Sequence, residues 1–148
     1  MTEGVPAAPP EGAAGSTTDT SSALYDAVGG MAFFERLVDR FYRGVEGDPV
    51  LLRLYPEPGD LSGARRRLTL FLVQYWGGPT TYSEERGHPR LRSRHFAFDI
   101  GPAERDHWLA RMREALRETA EQEATAPDDA DRLGAYFEMA AEAMRNRE

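Results

Sequence analysis

The sequence predicts an all-α fold. Apolar residues recur at the three- and four-residue spacing of a helix in four separate stretches. No stretch alternates apolar and polar residues as a half-buried strand does. Glycines and prolines punctuate the joints between the helical stretches.

The elements follow in order. Residues 1–22 are rich in Pro, Gly, Ala, Ser and Thr and carry no aromatic residue. They offer too little apolar area to offset the entropy of ordering, so they are expected to form a disordered tail, with a folded domain over 23–148. Tyr25-Asp26-Ala27-Val28 reads as a short helix ended by Gly29-Gly30. Phe34, Leu37, Val38, Phe41, Tyr42 and Val45 then form one helical stripe. Asp48 is placed to cap a short helix that Pro49 starts and that runs to Leu54, and Pro56 and Pro58 enforce a turn. A third long helix is expected from Leu61 or Ser62 to Trp76, with Leu68, Phe71, Leu72, Tyr75 and Trp76 on one face, stopped by Gly77-Gly78-Pro79. A loop is expected from there to Gly87, and then a short helix begun by Pro89. Pro102 opens a helix with Trp108, Met112 and Leu116 in line. Thr119–Pro127 reads as a loop, and the last helix aligns Leu133, Tyr136, Phe137, Ala140 and Met144. About five substantial helices result, with no internal repeat.

Bulk properties exclude several classes. At 148 residues the chain is long enough for one domain with a core. No apolar run approaches the roughly 20 residues that cross a bilayer. The start of the chain lacks the basic and apolar regions of a secretory signal. A cytoplasmic location is therefore expected. The absence of cysteine excludes disulfides, thiolate-ligated haem and zinc–thiolate centres. The net charge of −7 argues against nucleic acid as a partner. Every basic residue is arginine, and Arg65-Arg66-Arg67 reads as a solvated helix face.

The most informative stretch is Gly87-His88-Pro89-Arg90-Leu91-Arg92-Ser93-Arg94-His95-Phe96-Ala97-Phe98. Neutral imidazole ligates iron, guanidinium pairs with carboxylates, and aromatic rings make a dry wall. An iron porphyrin with two propionates needs all three. From residues alone, His95 is a ligand or simply a satisfied polar histidine. His88 precedes a proline and reads as a surface or capping residue, and His107 lies about 100° around a helix from Trp108.

Six ordered motifs carry a resemblance. They are Tyr25-Asp26-Ala27-Val28-Gly29-Gly30, Arg40-Phe41-Tyr42, Leu54-Tyr55-Pro56, Phe71-Leu72-Val73-Gln74-Tyr75-Trp76-Gly77-Gly78-Pro79, His88-Pro89-Arg90-Leu91-Arg92 with His95, and Glu104-Arg105-Asp106-His107-Trp108. From about Tyr25 to about Asn146 the chain resembles the truncated haemoglobins, most closely their group II, of bacterial and actinobacterial type. The resemblance implies a globin-like, truncated two-over-two helical sandwich holding haem b. It places the proximal iron ligand on His95 and distal donors on Tyr42, Tyr55 and Trp108. It puts Ala64 where many globins carry a distal histidine, with Leu68 one turn on. Leu68, Phe71 and Leu72 are expected to wall the porphyrin on one side, and Leu91, Phe98, Tyr136 and Met139 on the other. Arg92, Arg94 and Tyr82 are candidates for the propionates. On spacing alone the three donors read first as core aromatics, while the wall residues are also plain helix packing and the arginines equally a solvated face.

The implied function is binding of oxygen and other diatomic gases at the haem iron. Nitric oxide or peroxide detoxification is a further option, with an unidentified reductase as electron donor, because no dinucleotide motif is present. Basic Arg94, preceding His95, supplies no carboxylate to the ligand, which speaks against strong peroxidase chemistry. A haem-based sensor or interaction module, and a helical bundle without haem, are the alternatives. A monomer or homodimer fits equally.

Overall fold

Four long helices carry the fold because each has one continuous apolar face. The computed structural model describes residues 24–87 and 100–145. The tail reading, and His88, Leu91, Arg92, Arg94, His95 and Phe98, lie outside the described residues. Within them, α1 spans residues 24–28. It is followed by α2 (Gly30–Glu46), α3 (Pro49–Leu52), α4 (Ser62–Tyr75), α5 (Thr81–Arg86), α6 (Pro102–Gln122) and α7 (Pro127–Met144). No described residue lies in a strand. None of the described helices is long and apolar enough to cross a membrane.

Helix α2 packs on both α4 and α6, and α6 packs on α7. The α2/α4 pair therefore lies over the α6/α7 pair, the two-over-two arrangement expected from the sequence. Phe33, Phe34, Leu37 and Phe41 of α2, Leu72 of α4, Met112 of α6, and Leu133 and Phe137 of α7 are almost completely buried. Each such side chain contributes roughly 1.5–3 kcal/mol of transfer free energy. Polar contacts fix how α2 lies on α6. The Arg40 guanidinium donates to Thr119 Oγ1 at 2.8 Å and also to the Gln122 side-chain carbonyl. Buried Thr119 in turn donates to the Ala115 carbonyl at 2.8 Å.

Two loops expected from the sequence are helical. Residues 81–86 form α5 rather than continuing the loop to Gly87. Gln74 holds α5 on α4: its amide nitrogen donates to Ser83 Oγ at 2.7 Å, and its carbonyl accepts the Ser83 N–H at 2.9 Å. Six residues without an apolar stripe give no periodic signal; this tertiary clasp makes the helix. Helix α6 runs on through Gln122, past the loop expected from Thr119. Its last turn is polar in sequence but carries the Thr119 and Gln122 partners of Arg40.

The two glycine pairs work differently. Gly29 turns the chain from α1 into α2 at φ 114°, a conformation costly for other residues. Gly78 is required for closeness instead. A Cβ there would stand 2.5 Å from Tyr25 Cε1 and 2.7 Å from Val73 Cγ1. Tyr25 stacks on Phe34 with ring centroids 6.2 Å apart, so Gly78 lets α1 close over the end of α4. Gly78→Ala is expected to cost about 1–3 kcal/mol as an overpacking change, read as a lower denaturation midpoint. An unchanged midpoint would contradict this packing.

Candidate functional site

A cavity of about 280 Å³ lies between the helix layers. Helix α4 gives one wall, because Ala64, Arg67, Leu68, Phe71 and Leu72 recur at one-turn intervals and share a face. Helix α7 gives the opposite wall through Tyr136, Phe137, Ala140 and Met144. Tyr42 from α2, Tyr55 and Pro56 after α3, Tyr82 and Arg86 from α5, and Trp108 from α6 complete the lining. The lining is largely apolar, with its polar atoms gathered at two places.

The first is the Tyr42, Tyr55 and Trp108 group. Tyr42 and Tyr55 meet edge to face with centroids 5.7 Å apart. Phe41 bridges them to Trp108, lying 4.9 Å from Tyr42 and 5.5 Å from the indole. Trp108 also packs edge to face on Phe137 at 6.1 Å. Burial raises the Tyr42 pKa, and the hydrogen bond with Tyr55 and the charges of Arg67 and Arg65 offset it only in part. Burial, reinforced by the Tyr42 charge and hydrogen bond, pushes Tyr55 well above the ordinary value. Both phenols therefore remain protonated and able to donate at physiological pH. The indole N–H is a donor at every pH.

The second polar place is the rim. Arg67 and Arg86 line the cavity together with Tyr82, which is 3 % exposed. The Gln74–Ser83 clasp positions Tyr82, whose ring meets Phe71 at 5.6 Å. A bidentate pair from Arg66 to Glu85, at 2.5 and 2.8 Å, ties the same edge of α4 to α5. Arg67 has no carboxylate within ion-pair distance among the described residues.

Of the residues singled out from the sequence, the structure brings Tyr42, Tyr55, Ala64, Leu68, Phe71, Leu72, Tyr82, Trp108 and Tyr136 to this one cavity. Met139 is a correction: it is 49 % exposed and does not line the cavity. Its direction lies about 120° from the centre of the stripe formed by Leu133, Tyr136, Phe137, Ala140 and Met144, at 100° per residue. Ala140 and Met144 take the place assigned to it. Sequence reasoning also missed Arg67 and Arg86 on the rim. Their one-turn offsets from Ala64 and Tyr82 were the available signal.

The lining suits a flat apolar macrocycle with acidic substituents: apolar faces on two sides, Arg67 and Arg86 among the lining residues, and neutral donors in Tyr42, Tyr55 and Trp108. His107 is the one described histidine, and it is turned away to Asp48, with Nδ1 at 2.9 Å from Oδ2.

A profile of the family described as bacterial-like globin matches residues 23–145. The group 2 truncated haemoglobin of Bacillus subtilis (strain 168) is 42 % identical over 95 residues, 64 % of this chain and 70 % of that protein. The solved haemoglobin of the thermophilic phototroph Chloroflexus aurantiacus superposes with a TM-score of 0.78 at 49 % identity, over 84 % of this chain and 98 % of that one. The thermostable haemoglobin of the actinobacterium Thermobifida fusca gives 0.77 at 54 % identity, over 83 % and 96 %.

The phenols give a pH test of this geometry. Tyr42 and Tyr55 are expected to ionise only above the ordinary tyrosine range near about pH 10. Tyr55→Phe also removes the hydrogen bond that favours the Tyr42 phenolate, which raises Tyr42 further. The phenolate absorbance gained around pH 10 should therefore be the same in wild type and Tyr55→Phe. A smaller gain in the variant would place Tyr55 in solvent and contradict the site.

Proposed function

The chain belongs to the bacterial-like globin family, with group II truncated haemoglobins as relatives, and from that premise we propose that its cavity holds haem b and retains oxygen through Tyr42, Tyr55 and Trp108. Haem-based binding of oxygen and other diatomic gases follows from the family. The assignment to these residues, in a domain reaching from residue 23 to 148, is ours. One observation carries it: three donors from three different elements, Tyr42, Tyr55 and Trp108, line one largely apolar cavity.

When bound, the haem supplies an iron centre that coordinates diatomic gases. The chain's residues do the rest. His95 is our choice of iron ligand, because the resemblance to the truncated haemoglobins places the proximal ligand there; His107, engaged by Asp48 and off the cavity lining, does not compete with it. Leu68, Phe71 and Leu72 on one side and Tyr136 on the other exclude water from the macrocycle. Tyr82, Arg67 and Arg86, which line the cavity, would meet the propionates, and the sequence offers Arg92 and Arg94 as further partners and Leu91 and Phe98 as further wall. Tyr42, Tyr55 and Trp108 would donate hydrogen bonds to a gas held there. A hydrogen bond to a group bearing charge contributes about 1.5–3 kcal/mol, which slows release by about 10- to 150-fold for each well-placed donor.

Oxygen retained in this way would suit a redox role. Nitric oxide, oxygen and one electron from the haem iron would together give nitrate, and a separate, unidentified reductase would return that electron.

Stopped-flow oxygen release tests the donor assignment. Trp108→Phe and Tyr42→Phe should each accelerate release by about tenfold or more. Rates equal to wild type would sink it. Ala64 keeps the α4 wall low beside Tyr42, so Ala64→Phe should slow oxygen association. An unaltered association rate would show that gas enters elsewhere.

A further inference from the structure

A buried carboxylate sits where the elements bearing the distal donors meet. Asp48 is 2 % exposed. Its Oδ1 accepts the N–H groups of Val50 at 3.0 Å and Leu51 at 3.4 Å, which starts α3 and the turn leading to Tyr55. His107 Nδ1 donates to the same carboxylate, at 3.0 Å from Oδ1 and 2.9 Å from Oδ2. Arg111 Nε donates to Oδ2 at 3.1 Å. The Arg111 stem lies so close over α2 that a Cβ on Gly44 would stand 2.9 Å from its Cδ. The carboxylate thus binds the start of α3 to His107 and Arg111 of α6, on either side of Trp108, and the Arg111 stem packs on the end of α2.

This is more than a helix cap needs. Asparagine caps a helix as well as aspartate does and carries no charge. Burying a carboxylate is costly unless partners surround it, and such groups are often neutral for stability against apolar replacements. What the arrangement adds is geometric. His107 and Trp108 leave α6 about 100° apart, so fixing His107 fixes the roll of the helix and the direction of the indole. A roll of about 10° moves a side chain about 5–6 Å from the axis by about 1 Å, enough to weaken a hydrogen bond steeply. Burial alone would raise the Asp48 pKa, but the hydrogen bonds from His107 and Arg111, the His107 charge and the Leu51 N–H bring it below the ordinary carboxylate value. The acceptor therefore stays charged at neutral pH.

We propose that Asp48, with His107 and Arg111, is the positioning joint of the distal pocket: it sets the roll of α6 and so the place of the Trp108 indole relative to Tyr42 and Tyr55. The proposal rests on the reading that these three side chains face the gas.

The test uses the ferrous holoprotein saturated with carbon monoxide. The chain has two tryptophans, so a ¹H–¹⁵N spectrum shows two indole signals, assigned with Trp76→Phe; Trp76 lies away from the joint and serves as the internal control. Asp48→Asn, which keeps the cap, and His107→Leu should shift the Trp108 signal, leave the Trp76 signal in place, and speed oxygen release by about three- to tenfold. His107→Asn puts an amide N–H where Nδ1 stood and should restore both readouts. An unmoved Trp108 signal overturns the proposal, as does equal movement of both indoles, or failure of His107→Asn to differ from His107→Leu. Should Trp108→Phe leave oxygen release unchanged, the donor reading fails on its own, while the indole shift still reports on the joint.

Discussion

Close packing is the constraint on which this structure turns. Protein interiors reach the density of organic crystals, yet α2 and α4 meet α6 and α7 around a chamber of about 280 Å³. Aromatic side chains bridge the helices around this chamber. Phe41 leans on Tyr42 and Trp108, and Trp108 on Phe137. On the α7 side, Tyr136 leans on Tyr75 at 4.4 Å and on Trp76 at 5.7 Å. This aromatic scaffold frames a largely apolar chamber with few polar groups, the form that small-ligand sites take.

The long helices were legible in the sequence because each buries a stripe of the right period. Phe34 through Val45 on α2 and Leu133 through Met144 on α7 lie where the spacing put them. Asp48 and Pro49 were legible as a helix start, and the structure shows Asp48 capping α3. The short α5 and the last turn of α6 were not, because long-range clasps stabilise them: Gln74 with Ser83, and Arg40 with Thr119 and Gln122. Local composition carries no trace of such partners. Met139 shows the limit of the pattern inside a helix, where one apolar residue three places along can leave the stripe.

The site was legible to a similar depth. Motifs put Tyr42, Tyr55 and Trp108 forward, but only the fold shows that elements far apart in sequence deliver them to one chamber. The Asp48–His107–Arg111 joint was missed because His107 and Arg111 lie 59 and 63 residues beyond Asp48, in α6, and Asp48 already has an ordinary local explanation as a helix cap. Arg53 on Glu104 at 2.7 Å adds a second tie between α3 and α6, and Glu104 also accepts the Gly101 N–H at 2.9 Å where α6 begins. The polar contacts thus secure the positions of the donor-bearing elements, while the apolar faces supply most of the stability.

The central claim is that the chamber is shaped for an iron porphyrin bound through His95. Titrating haem-free protein with haemin, while recording absorbance and the unfolding midpoint, tests it most directly. The account predicts an intense Soret band saturating at one equivalent, with a raised midpoint because ligand binds only the folded state, and loss of that band's native form in His95→Ala. A chain that stays colourless with an unmoved midpoint, or a His95→Ala variant that retains the wild-type spectrum, would contradict it.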